Sequence, residues 1–242
     1  MVLPSDEANV NSQAKWDWLR SQATRFNLYM LDNFEGTENI FTANTGTGYT
    51  TAETFNLQCE TGVQANSVNK WYYDSKYFNP LYAQTYIRWR INNPDSCFMF
   101  IGFKDSLDDP TWDMTESHYG IMLHDDGSGG QLYLSSANTL GAAPGQQRQA
   151  ISGILPQSDY IYKLGNNALY TYQLPVVIPY FDSEVFDKLQ NINTYQWLLK
   201  ATNNSFPPDD QSHYFMFYIS NTVGANKQVN FRQITYGERY VD

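Results

Sequence analysis

YIRWRINNPDSCFMFIGF, residues 86–103, holds two dense apolar runs separated by Asn92, Asn93, Pro94 and Asp95. In the first run Ile87, Trp89 and Ile91 alternate with Arg88 and Arg90, the pattern of a strand with one face in the core and one in water. The second run, 97–103, is apolar at nearly every position, as in a strand covered on both faces. The residues between them are turn formers. The stretch therefore reads as a hairpin near the middle of a sheet, with the rest of the chain arranged around it.

Toward the C-terminus, Tyr119-Gly120-Ile121-Met122-Leu123-His124 reads as a strand and Gln131-Leu132-Tyr133-Leu134 as its partner across the Gly-rich turn 125–130. Residues 135–153 are small and polar, the composition of a long surface loop. Residues 159–163 and 169–173 form a second hairpin around Gly165-Asn166-Asn167. Pro175 and Pro179 bracket an edge-strand candidate, and Asp182 or Ser183 would cap a short helix carrying Val185, Phe186 and Leu189. Residues 195–201, 213–220 and 228–236 return to strand. Toward the N-terminus, residues 55–59 alternate and stop at Glu60-Thr61-Gly62, and Trp71-Tyr72-Tyr73 lies beside a Pro-broken loop. Residues 5–27 are a clearly helical opening, with Trp16, Leu19, Ala23 and Phe26 in one stripe. They divide the chain into a helical arm, 1–27, and a β domain, 28–242. The arm either packs on that domain or docks on a neighbouring subunit.

Ten or more short strands without a βαβ rhythm predict an all-β fold of two antiparallel sheets. A chain of 242 residues can form one such domain, burying roughly 70–75% of its unfolded surface without staples. Cys59 and Cys97 read as buried thiols, since the N-terminus lacks the layout of a secretory signal; one bridge is the alternative. The chain is 16% aromatic, with 19 Tyr, and only 17% charged. That balance suits strands and contact surfaces. A net charge of −10 disfavours tracking nucleic-acid phosphates or docking on an anionic membrane. No apolar run approaches the roughly 20 residues of a membrane span.

Three textures go further. Asp32-Asn33-Phe34-Glu35-Gly36 precedes a Gly/Thr-rich stretch, Phe100-Ile101-Gly102-Phe103-Lys104-Asp105 is followed by Tyr119-Gly120-Ile121-Met122-Leu123, and the chain closes on Tyr236-Gly237-Glu238-Arg239-Tyr240. This layout resembles the concanavalin A-like (laminin G-like) jelly-roll β-sandwich family, including versions found in virus and phage structural and receptor-binding proteins. The resemblance spans most of residues 28–242 and implies the sandwich far more strongly than any one activity.

Glycoside hydrolysis occurs in that family, and its retaining form needs two carboxyl groups about 5–5.5 Å apart. The family carries them at alternate positions of one strand, as Glu-x-Asp-x-Glu. Here Asp182 and Glu184 are the best match, and they fall in the helix start; Asp125 and Asp126 are adjacent and would point to opposite faces. The resemblance also brings a rim calcium into question. The loop holding Asp105, Asp108, Asp109, Asp113 and Glu116 could supply some of the about six to eight oxygens calcium takes, or could simply be solvated. For sugar stacking the candidates are Trp71, Tyr72, Trp112, Tyr160, Tyr162, Tyr170 and Tyr172, the last four as one platform if their hairpin pairs them. The same rings could instead line the core margin or a contact between subunits. The three His, the two Cys and the Gly127-Ser128-Gly129-Gly130 turn compose no nucleophile, metal or phosphate motif.

The expectation is a non-catalytic structural or attachment component of a virus or phage particle, located in the virion and contacting other subunits, with glycan recognition as a further task. A free carbohydrate-binding lectin and a divergent glycoside hydrolase are the alternatives. No cofactor is expected beyond the calcium question.

Overall fold

The two apolar runs around residues 92–96 are both strands, but they lie in different sheets. The computed structural model describes residues 26–32, 40–53, 56–73, 76, 78–125, 129–138, 146–158, 160–165, 167–173, 198–203 and 207–239. In chain order these form β1 (Phe26–Asp32), β2 (Ile40–Thr45), β3 (Tyr49–Glu53), β4 (Asn56–Glu60), β5 (Val68–Tyr73), β6 (Ala83–Ile91), β7 (Cys97–Lys104) and β8 (His118–His124). They continue with β9 (Gln131–Ala137), β10 (Gln146–Ala150), β11 (Tyr160–Gly165), β12 (Ala168–Gln173), β13 (Leu198–Thr202), β14 (Tyr214–Asn221) and β15 (Gln228–Arg239). Sheet A runs β13-β12-β11-β6-β15-β4-β3, with β1 also pairing β15; sheet B runs β10-β9-β8-β7-β14-β5-β2. Every pairing is antiparallel. The expected two-sheet antiparallel sandwich is therefore the fold.

The expected hairpin is corrected. β6 sits between β11 and β15 in sheet A, and β7 between β8 and β14 in sheet B. Residues 92–96 arch from one sheet to the other. Asn92 N donates to the Gln228 carbonyl (3.0 Å), Thr222 Oγ1 donates to the Ser96 carbonyl (2.9 Å), and Ser96 takes a φ of 51°. A short turn-forming linker fits a hairpin or an arch equally well, so distant partners choose between them. The other two expected hairpins form as β8–β9 and β11–β12. The stretch read as one long surface loop contains the end of β9 and all of β10. The Val176 strand, the Ser183 helix and the arm at residues 1–25 lie outside the described residues; β1 begins at Phe26.

Between the sheets lies an aromatic core. Trp71 from β5 meets Phe217 at 5.6 Å and Phe215 at 6.2 Å within sheet B, and Phe231 of sheet A at 5.3 Å. Trp89 stacks on Tyr162 at 4.8 Å, and Phe78 packs edge-on against Tyr236 at 5.0 Å. A register shift in β15 between Phe231 and Gln233 changes the parity of that strand, so Val229 and Phe231 before it and Ile234 and Tyr236 after it all reach the core. Cys59 and Cys97 are free and buried in this core, on different sheets. Burial pushes the Cys97 thiol up to about 12 and the Cys59 thiol higher still, so neither is a thiolate at neutral pH.

Both outer faces are partly covered. Arg88, expected on a wet face, is 1% exposed, and its neighbour Ile161 on β11 is buried beside it. On sheet B all eight residues of β7 are buried, as its continuous apolar run implied. The cover there is the loop at residues 105–117.

Candidate functional site

Strand alternation sends Phe98, Phe100, Gly102 and Lys104 of β7 to the outer face of sheet B. Register places beside them His124, Met122, Gly120 and His118 on β8, and Ser220, Tyr218, Met216 and Tyr214 on β14. Val68, Lys70 and Tyr72 of β5 extend the face on one side; Tyr133 and Ser135 of β9 and Gln146 and Arg148 of β10 extend it on the other. Its middle is an apolar floor in which Phe98, Phe100, Met122, Met216 and Tyr218 pack with Met114 from the loop. Val68, Tyr72, Trp112 and Tyr133, all half-buried, form its margin.

The loop is tied down by cations of the sheet. Lys70 Nζ donates to Asp109 Oδ1 at 2.8 Å and to the Leu107 carbonyl at 2.5 Å. Buried Lys104 donates to Ser106 Oγ at 2.5 Å and lies 4.0 Å from Glu116. Arg148 Nη1 donates to the Trp112 carbonyl at 3.3 Å, and Nη2 sits 3.7 Å from Asp113. The Arg148 guanidinium also lies 3.8 Å from the Trp112 ring centroid, while that ring stacks on His124 at 4.2 Å and meets Tyr133 edge-on at 5.0 Å.

Beneath the loop, His118 donates from Nδ1 to the Glu116 carbonyl (2.7 Å) and accepts at Nε2 from Ser135 (2.9 Å). His213 donates from Nδ1 to the Gln211 carbonyl (2.7 Å) and accepts at Nε2 from Ser117 (2.8 Å). Both arrangements suit the neutral ring. The Ser117–His213 pair has the spacing of a nucleophile and its base, but both residues are buried, so it works as a structural tie. Burial holds His118 down from the ordinary 6.5 to about 4, opposed by its bond to the Glu116 carbonyl and aided by Lys104; His213 is lowered for the same first reason.

The sign follows from linkage. Below pH 6.5 the unfolded chain takes up a proton at His118 that the folded chain refuses, so stability present above 6.5 is lost as pH falls toward about 4. The slope contributed approaches about 1.4 kcal/mol per pH unit. Urea unfolding between these pH values should show it, and His118→Gln should flatten it. An equal slope in that variant would place the titration elsewhere.

The sequence candidates separate. Tyr72 and Trp112 both lie on the margin of this face, on opposite sides, Tyr72 on β5 and Trp112 against His124, Tyr133 and Arg148. Trp71, read as lying beside a loop, is fully buried in β5 because it points inward between Phe217 and Phe231. The four-tyrosine platform does not form. Tyr160 and Tyr162 pair with Gln173 and Thr171, so they fall on the core side, while Tyr170 pairs with Lys163 and Tyr172 with Ile161. Tyr170 instead lies on the outer face of sheet A, where Lys163 Nζ is 5.3 Å from its ring centroid; the Tyr172 side chain is outside the described residues. Of the calcium candidates Asp105, Asp108, Asp109 and Asp113, the second approaches Ser106 Oγ at 3.2 Å, and the last two pair with Lys70 and Arg148. Among the described residues no group of three or more acids, His or Cys is placed to hold a metal. Lys70, Met114, His124, Tyr133 and Arg148 were missed. Met122 and Tyr133 lay in a recognised hairpin, but only register shows which face they share.

The outward positions of β5, β7, β8, β9, β10 and β14 carry no Asp or Glu among the described residues; the acids of this face come from the loop. Arrays of this kind offer apolar and aromatic surface with a few orienting polar groups.

No family model matches the chain, and no curated protein matches it by sequence. Solved structures do. The legume lectin-like domain from Entamoeba histolytica superposes with a TM-score of 0.55 at 10% identity, covering 83% of this chain and 90% of that one. The exoplasmic/lumenal domain of VIP36 in its Ca2+/Man3GlcNAc-bound form gives 0.52 at 8%, covering 90% and 92%. The CBM2 module of the evolved Dit of Lactobacillus casei BL23 phage J-1 gives 0.51 at 12%, covering 90% and 98%. At these identities the likeness is one of fold: the chain adopts a concanavalin A-like β-sandwich fold.

Proposed function

We propose that this chain is a non-catalytic recognition module that holds a glycan against the outer face of sheet B, and that it serves as an attachment or decoration component of a virus or phage particle. The observation that carries the reading is the half-exposed aromatic margin, Tyr72, Trp112 and Tyr133, around a side-chain floor without strand-borne carboxylates. Aromatic rings stack on the apolar faces of sugars, and the half-buried polar groups beside them, Gln131 and Ser220, can orient hydroxyls. A sugar-bound form of one structural neighbour and the phage origin of another support the two halves of the reading.

A glycan array on the full chain should give binding without turnover. Tyr72→Ala and Trp112→Ala should each weaken it about five- to tenfold, while Tyr170→Ala, on the other sheet, should leave it unchanged. A blank array from folded protein would remove the glycan half. Sugar hydrolysis abolished by removal of one acid would replace the reading with an enzyme. Light scattering tests the particle half, which predicts an assembly larger than one chain and is lost if only monomer is found.

A further inference from the structure

The loop that covers the floor is fastened unlike the rest of the fold. Its ends are closed by a backbone bond from Asp105 N to the Ser117 carbonyl (3.1 Å), continuing the β7–β8 ladder past Lys104 and His118. Between those ends, residues 106–116 are tied to the sheet by the cation contacts of Lys70, Lys104 and Arg148, the His118 bond to the Glu116 carbonyl, the packing of Trp112 on His124 and Tyr133, and Met114. The acids in two of the contacts face solvent, Asp109 with 58% and Asp113 with 84% of the side chain exposed. Ion pairs of that kind are weak and are screened by salt. Met114 packs into the floor on a flexible and adaptable side chain, and Pro110 is the other buried apolar residue of the loop. By contrast, Phe100, Met122 and Met216 beneath it are completely hidden.

We propose that residues 106–116 are a strap that closes the centre of this face and must swing outward for ligand to reach the floor. Closed, the strap fills the middle of the face with Met114 and engages the Trp112 ring with His124 and Arg148. Open, it bares Phe100, Met122 and Met216 and frees the Trp112 ring for stacking. A loop with few buried apolar anchors opens at a lower free energy than the strands that carry it. A ligand that binds only the open form is weakened by the fraction of time the strap is closed. The ligand half rests on the glycan reading above; the opening itself does not.

Hydrogen exchange on the full chain without ligand reads the opening. The Asp109→Asn/Asp113→Asn variant removes two exposed charges and no core contact. In it, peptides within residues 106–116, the Met114 amide included, should exchange about tenfold faster, with β7 and β14 unchanged. Raising NaCl from about 0.05 M to about 1 M should do the same to the unaltered chain. Mild peroxide should then oxidise Met114 faster, and Met122 after it, as the strap lifts. Strap peptides as slow as β7 in both the variant and high salt would overturn the proposal, and so would acceleration spread evenly over both sheets. A glycan found on the array should bind the variant at least about threefold more tightly. Faster strap exchange with a blank array sinks the glycan reading and keeps the strap. Faster exchange with unchanged affinity for a bound glycan removes the gating role.

Discussion

Trp71→Ala is expected to cost about 3–5 kcal/mol of stability, the range for removing a fully buried aromatic side chain. Trp71 has no exposed surface and sits among Tyr73, Phe215, Phe217 and Phe231 at 5.3–6.2 Å. With Phe217 and Phe103 it is one of the rings through which sheet B meets β15 of sheet A. Domains commonly hold only about 5–15 kcal/mol in all, so the variant should unfold at a much lower urea concentration with little change in the slope. Because the indole is a spacer between layers, any loss of ligand binding should follow the unfolded fraction. A variant as stable as the original chain would contradict the core described here.

Gly102→Ala should have the next largest effect, about 3 kcal/mol, from strain rather than a cavity. Gly102 and Gly120 face each other across β7 and β8 at the centre of sheet B. A Cβ on Gly102 would lie 2.4 Å from the Tyr119 carbonyl oxygen and 2.5 Å from the Gly120 Cα, and the Gly102 φ of 153° is one that L residues rarely adopt. The offending atoms are backbone, so relief requires the two strands to part where the floor is built. Gly165→Ala is the control. There the nearest atom is the Ala83 carbonyl oxygen at 3.2 Å, and the loss should be much smaller. Equal midpoints for the two variants would mean that the β7–β8 approach is not as tight as described.

These residues show how far the chain could be read unaided. The continuous apolar run 97–103 announced a strand covered on both faces, and β7 is buried throughout. It did not announce the cover, because the cover is the polar, acidic loop at residues 105–117, whose contribution is one methionine, one tryptophan and several carboxylates. The alternation of Ile87, Trp89 and Ile91 marked the inner face of β6 correctly, yet Arg88 on the other face is buried too. Tyr72 and Trp112 were visible as candidates because aromatic residues near loops are noticeable. Lys70 and Arg148 were not, because single basic residues gain meaning only when a distant acid comes within reach. The four tyrosines of β11 and β12 show the limit most sharply. Identical spacing on each strand implied a shared face, but the register pairs even positions with odd ones and sends the two sets apart.

By itself, then, the sequence determined the class of fold and the inward side of most strands. These follow from local alternation and residue type, which need no knowledge of partners. Only the tertiary structure decided that residues 92–96 cross between sheets, that Trp71 is core, and that an acidic loop is clipped by three cations over an apolar floor. Each of those depends on pairing register and on contacts between residues tens of positions apart, and a shift of one residue in register moves every side chain of a strand to the opposite face.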